Sequence, residues 1–279
     1  MGNWTGKAIF GPRRELAHAL AVREELKHPS VYFLLAAAPD NPALTQVYIG
    51  EAEDFAARVA SHEKNKEWWE FFVVFGSKDA NLTKAHIRFL ERWFYDRAAA
   101  PKGRLRVMNE NTPHGAKLPE ADIAEMDVYG KNALFLLGAL GYRLFEGPAI
   151  TVQATKTGKS RPSGSAEFHL IITRDHRWSD GSPAVGRLRV DAGGYLLLAG
   201  SAIRTGAMDS FKAQGASYWN LSKKLVDNPD IVHRVTEDLG RLRVDVPFNS
   251  PSAAAAVVRA RTTNGRTDWK EVTPLRPRM

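Results

Sequence analysis

The 279-residue chain contains no cysteine. That absence removes disulfides, thiolate zinc sites and cysteine nucleophiles at once, and it fits a reducing, cytoplasmic setting. No stretch approaches the roughly 20 apolar residues a bilayer span needs, and the first residues, "MGNWTGKAIFGPRREL", lack an apolar core behind a basic start. Neither export nor membrane insertion is expected. No internal repeat is found. What is present is ordinary globular composition, 44% hydrophobic and 25% charged, in a chain long enough for two compact units. Acidic residues are in deficit: 31 against 39 basic ones leave a net charge of +8 and a pI near 9.7. Such a balance favours a polyanion near the surface, although many soluble proteins carry it for solubility alone.

Periodicity divides the chain. Residues 12–27, "PRRELAHALAVREELK", space Leu16, Leu20 and Leu26 as an amphipathic helix that Pro29 ends, so 1–28 reads as a helical segment. Two β-type runs, "VYFLLAA" and "TQVYIG", flank the turn-forming "APDNPAL" and predict a hairpin. After Gly50, "EAEDFAARVASHEKN" predicts a helix with acidic residues in its first turn. "WWEFFVVFGS" predicts a third strand, and residues 82–97 predict a buried helix with Leu82, His86, Phe89 and Trp93 at helical spacing. The order β-β-α-β-α over 29–115 predicts an α+β fold, a small antiparallel three-stranded sheet flanked by helices. A short strand near "RLRVM" follows, then a helical connector over 116–154 that breaks near Gly130. Glycine, serine, proline and basic residues mark a linker at 155–165. A second small α+β domain is expected over 166–279, with strands at "AEFHLIIT", "GRLRVD" and "GYLLLAG" and helices near "YWNLSKKLVD" and "PSAAAAVVRAR".

One constellation stands out from this frame. Phe55, Val59 and His62 recur at i, i+4 and i+7, a core-facing stripe flanked by Arg58. For an isolated helix, a packed histidine and a snorkelling arginine explain this pattern. Tyr32 and Tyr48, however, sit on the two adjoining strands, where both phenols can emerge on one face. Glu91 has Ile87 and Phe94 as helical neighbours, and a carboxylate among apolar groups is costly unless it is paired or holds a metal. Arg88, Arg92 and Arg58 are its candidate ion-pair partners.

The ordered set "SVY" at 30–32, "YIG" at 48–50, Arg58, His62 and Glu91 resembles the GIY-YIG nuclease superfamily. The stretch "FGSKDANLTKAHIRFLE" looks like a bacterial branch that carries an appended domain of unknown function, and "PSAAAAVVRARTTNGRTDWK" is similar to that domain. The likeness covers about 30–113 for the nuclease core and 150–275 for the remainder. Two positions depart from the pattern: Ser30 stands where the first motif has glycine, and Glu51 follows Gly50 where several relatives use lysine.

The resemblance implies a metal-dependent endonuclease hydrolysing DNA phosphodiester bonds, in a setting of restriction, phage defence or repair. It assigns Glu91 to one Mg²⁺, for which Mn²⁺ can substitute, with water and phosphate at the other sites. Arg58 is then the guanidinium that stabilises charge on the phosphoryl oxygens, and His62 accepts a phenol proton. Tyr32 is given the water-activating role and Tyr48 the orienting one, with exchange of the two left open. The superfamily's asparagine is Asn109 or Asn111. Gly50, Lys102 and Arg104 are further substrate contacts, the last two alternating with Arg106 as either a solvated face or a DNA-backbone contact. The rival reading is a non-catalytic nucleic-acid-binding protein that keeps the fold.

Other features weigh less. "TGKS" at 157–160 has Gln153 where a phosphate-binding loop needs glycine and reads as linker. His86 is read as packed or as a partner of the site. Trp68 and Trp69 read as core before base-stacking. Arg241, Arg243, Arg259, Arg261, Arg266 and Lys270 make the last segment basic and suggest that it holds nucleic acid or a partner.

Overall fold

The computed structural model describes residues 4–66, 68–100, 104–140, 145, 165–173, 175–191, 194–206, 211, 216–261, 263 and 265–272. The linker at 155–164 and Lys102 therefore lie outside the described residues, as do the side chains of His62 and Arg266. The chain divides into two compact units, residues 1–36 with 45–146, and 37–44 with 147–279. Each is built of strands and helices, so the α+β class holds for both.

The expected hairpin forms from β2 (Ser30–Ala38) and β3 (Asn41–Ala52), joined by Pro39 and Asp40; residues 30–36 and 45–52 of it belong to the first unit. Strand β4 (Phe71–Ser77) pairs antiparallel with β2, placing Tyr32 opposite Val74. These three strands are the centre of a five-stranded sheet rather than the whole of it. On one edge β1 (Gly6–Pro12) pairs antiparallel with β4, and on the other β5 (Leu105–Val107) runs parallel to β3. The N-terminal segment is thus strand as well as helix. Its helical part is interrupted: α1 spans only Leu16–Val22, between 3₁₀ turns at Arg13–Glu15 and Glu24–Lys27.

Every residue of β2 is buried, which explains why its sequence is an apolar run without alternation. Tyr32 and Leu34 join Phe72, Val74, Trp69 and Leu26 in one core with Phe55 and Val59 of α2 (Phe55–Asn65). Phe33 packs edge-on against Phe75 and against Phe94 of α3 (Lys84–Ala99). Trp69 is core, as expected, and precedes β4 instead of beginning it.

Two helix boundaries differ from expectation for visible reasons. Strand β3 continues through Glu51 to Ala52, and Asp54 accepts a hydrogen bond from the Ala57 N–H at 3.0 Å, so the acidic run caps α2 from outside. At α3, Thr83 and His86 form a reciprocal capping box, and His86 also lies 3.6 Å from Asp122. His86 is therefore neither a packed core histidine nor a side chain of the cleft. The segment expected as a connector supplies α4 (Glu120–Ala139), which runs unbroken through Gly130. A β-carbon there would come within 2.8 Å of the Trp93 ring, so glycine serves close helix packing instead of a break. Trp93 completes the contact by donating to Asp127 at 3.0 Å.

The second unit holds the expected strands β6 (Ala166–Ile171), β7 (Val185–Asp191) and β8 (Gly194–Leu197) in a five-stranded sheet with β12 (Val246–Phe248) and β13 (Lys270–Glu271). A three-stranded sheet of β9 (Ala202–Arg204), β10 (Val232–Arg234) and β11 (Leu239–Leu242) adds to it. The expected helices are α5 (Ala216–Val226) and α6 (Pro251–Arg259). Ser250 caps α6 with Pro251 in its first turn, and the alanine-rich helix is buried from Ser252 to Val258. Among the described residues no helix is long and apolar enough to cross a membrane.

Candidate active site

The end of β3 is where the chemistry collects. Tyr32 and Tyr48 bring their rings to 6.1 Å, with their phenols hydrogen-bonded to each other. Arg58, on the first turn of α2, donates from its guanidinium to the Tyr32 phenol. That bond holds Arg58 above its ordinary pKa, so the cation is permanent. Gly50 makes the arrangement sterically possible, because a β-carbon there would lie 2.5 Å from both Cζ and Oη of Tyr32. Gly50→Ala is accordingly expected to cost about 1–3 kcal/mol by overpacking and to displace the phenol from Arg58. Chemical denaturation, with tyrosine fluorescence as a second readout, measures both effects.

The two phenols are not equivalent. Tyr32 is 0% exposed, and burial drives its pKa far above the ordinary phenol value, with the neighbouring Tyr48 adding to the rise and Arg58 opposing it. Tyr48 is partly exposed and lines a cleft of about 360 Å³. Of the two roles left open to exchange, water activation suits a sealed phenol poorly, and Tyr48 is the one that opens on the cleft. Tyr32 instead anchors Arg58. Ser30, in the first motif's glycine position, is fully buried, and its Oγ has no hydrogen-bond partner among the described residues.

Glu91, from the middle of α3, lines the same cleft together with Glu51 and Arg88. Its carboxyl is pushed up to about 7, first by burial and then by the charge of Glu51, against the opposing pull of the Glu51 backbone N–H, Arg58 and Arg88. Of the three candidate partners, Arg58 and Arg88 act on Glu91 through their charge, while Arg92 pairs with Asp96 at 2.7 Å and donates to the Pro113 carbonyl at 3.0 Å. Among the described residues no group of three or more His, Asp or Glu could cage a metal ion. Two hard carboxylates on one wall do suit a cation that keeps most of its water, and a Glu91 under charge repulsion is the group such a cation would relieve.

Asn109 separates from Asn111 by geometry. Its side-chain amide donates to the Ile49 carbonyl at 2.7 Å and accepts from the Ile49 N–H at 3.0 Å. It thereby extends the β3–β5 ladder by one rung beyond Met108, whose N–H reaches Val47 at 2.8 Å. Asn111 is exposed at the cleft rim. Asn109→Ala should lose both bonds and leave the Ile49 groups unpaired, a cost of about 1–3 kcal/mol. A lowered denaturation midpoint checks this, and Asn111→Ala in the same experiment should change little.

Some expected contacts are not at the cleft. Arg104 is 4% exposed and does not line it, so neither a solvated face nor a DNA-backbone contact describes this residue. Lys102 and the His62 side chain lie outside the described residues, though the His62 backbone is within α2 as expected. Lys66 and Lys84, which sequence reasoning passed over, do line the cleft. Each lies in a charged or polar stretch that reads as solvated, and no local pattern distinguishes it.

In the second unit several of the basic residues serve the fold. Arg259 pairs with Asp268 at 3.1 Å and donates twice to the Ile171 carbonyl, and Arg241 stacks 4.1 Å over the Trp178 ring. Residues 170–274 match a family described as a domain of unknown function, DUF4357. A domain of unknown function is expected over this part of the chain, and the match places one there. No curated protein and no solved structure matches the chain.

Proposed function

We propose that the first unit is a metal-dependent endonuclease that hydrolyses DNA phosphodiester bonds. The observation that carries this reading is a hydrogen-bonded Tyr32–Tyr48–Arg58 cluster whose Tyr48 lines one cleft with the half-buried Glu91, on which the Arg58 charge also acts. The ordered GIY-YIG-like motifs and the appended DUF4357 segment support it further.

In this reading Glu91, with Glu51 beside it, would hold Mg²⁺ or Mn²⁺, which would supply a Lewis acid for the scissile phosphate and a lowered pKa for bound water. Tyr48 faces the cleft and would orient the attacking water by hydrogen bonding; as the water's proton passes to the phenol oxygen, the phenol proton would pass on to His62. Arg58 presents two N–H donors in a fixed fork to the phosphoryl oxygens, where negative charge grows in the transition state. Tyr32 keeps that fork from swinging into solvent, and Gly50 keeps Tyr32 in place. His62 accepts a phenol proton in this scheme, one helical turn from Arg58.

The test is incubation of the purified chain with single-stranded, duplex and branched DNA in Mg²⁺, Mn²⁺ or EDTA. Metal-dependent strand breaks on at least one substrate are expected. Binding without breaks under all conditions, weakening steeply with salt, would instead identify a nucleic-acid-binding module on this fold.

A further inference from the structure

Lys66 immediately follows α2 and lines the cleft with Tyr48 and Glu91. Its ammonium stands 5.0 Å over the Tyr48 ring, and only 18% of its side chain is exposed. The backbone is tied as well, since Arg13 donates to the Lys66 carbonyl at 3.4 Å. The ionic partner is a different kind of group: Glu110 reaches Lys66 at 3.4 Å with its own side chain 82% exposed. An ion pair that long, with one member in water, contributes little and exchanges readily. The cation is thus held in place by the aromatic ring, while its carboxylate cover sits loosely on the rim.

We propose that Lys66 is a phosphate-positioning residue, taking a non-bridging oxygen of the nucleic-acid backbone beside Tyr48, and that Glu110 occupies it until the substrate displaces the carboxylate. The proposal rests on the nuclease reading for the identity of the substrate. A lysine suits the task because its point charge on a flexible stem can follow the phosphate without demanding the planar geometry of a guanidinium. Glu110 meanwhile repels phosphate from an empty cleft, so binding includes an exchange of one anion for another.

The experiment measures binding of a fluorescent duplex and the matching single strand to the full chain in EDTA across a salt series. Lys66→Met should weaken binding several-fold and reduce the slope of log K against log salt by about 1. Lys66→Arg should restore most of both, and Glu110→Gln should tighten binding. Wild-type affinity and slope in Lys66→Met would overturn the proposal, as would weakening by Glu110→Gln equal to that of Lys66→Met, which would mark the pair as structural. A wild-type chain that binds neither nucleic acid overturns it too. Cleavage in Mg²⁺ is scored separately. Lys66-dependent binding without any cutting would sink the nuclease reading alone, and cutting with binding indifferent to Lys66 would sink this inference alone.

Discussion

Replacing Glu91 with glutamine is expected to abolish DNA cleavage, by about 10³-fold or more, while making the metal-free protein more stable above neutral pH. The two effects share one cause. In the folded chain the Glu91 carboxyl titrates at about 7, raised from 4.5 by burial and by Glu51. Between those values the native state holds a proton that the unfolded chain has released, so stability falls as pH rises through this window and stays lost above it. At about 1.36 kcal/mol per pH unit the displacement is worth between about 3 and 4 kcal/mol, which solvent screening of this half-buried group reduces to about 2–3 kcal/mol. Glutamine mimics the protonated form and escapes the loss, yet it cannot offer an anionic oxygen to a cation. Unfolding in EDTA at pH 5 and pH 8.5 checks the first effect: the variant should gain on wild type only at the higher pH. A companion expectation follows for the wild type. Proton and metal compete for one carboxylate, so apparent metal affinity should drop about tenfold per pH unit below 7.

Arg58→Ala is expected to lower the single-turnover cleavage rate by about 10²–10³-fold, the scale for losing one positioned donor to the transition-state oxygens. Affinity for DNA should fall far less, because one phosphate contact among several is removed. Arg58→Lys should recover only a small part of the rate. A lysine keeps the charge but cannot donate to the Tyr32 phenol and to phosphate through one planar fork. Removal of Arg58 also strips Tyr32 of a neighbour that lowers its pKa. The buried phenol then remains neutral and the fold is expected to persist. Equal losses in binding and rate would instead mark Arg58 as a general contact.

Much of this site was legible in the chain because its residues break local rules. A glycine in a β-run beside a tyrosine, and a carboxylate between Ile87 and Phe94, are each costly without a purpose; the first makes room for the Tyr32 ring and the second lines the cleft. The elements that hold them were legible from apolar periodicity. The parts that escaped depend on distant pairing. Strand β1 is short and bounded by glycine and proline, and it exists only by pairing with β4, more than 50 residues on. Lys102, Arg104 and Arg106 share a parity that suggests an open basic face, yet Arg104 is buried, and its carbonyl accepts from the Thr45 N–H at 3.0 Å. Asn109 and Asn111 share a parity too, and only the register of β5 on β3 puts the first against Ile49. Likewise the two tyrosines differ in burial, which the "VY" pair common to both strands does not reveal.

The most direct test is single-turnover cleavage of one labelled DNA substrate in Mg²⁺ by wild type and Glu91→Gln prepared side by side, with binding measured on the same samples. The proposed site requires cutting by the wild type and loss of cutting in the variant at nearly unchanged affinity. Equal cutting by both proteins would contradict it, since the carboxylate of α3 would then have no part in the reaction.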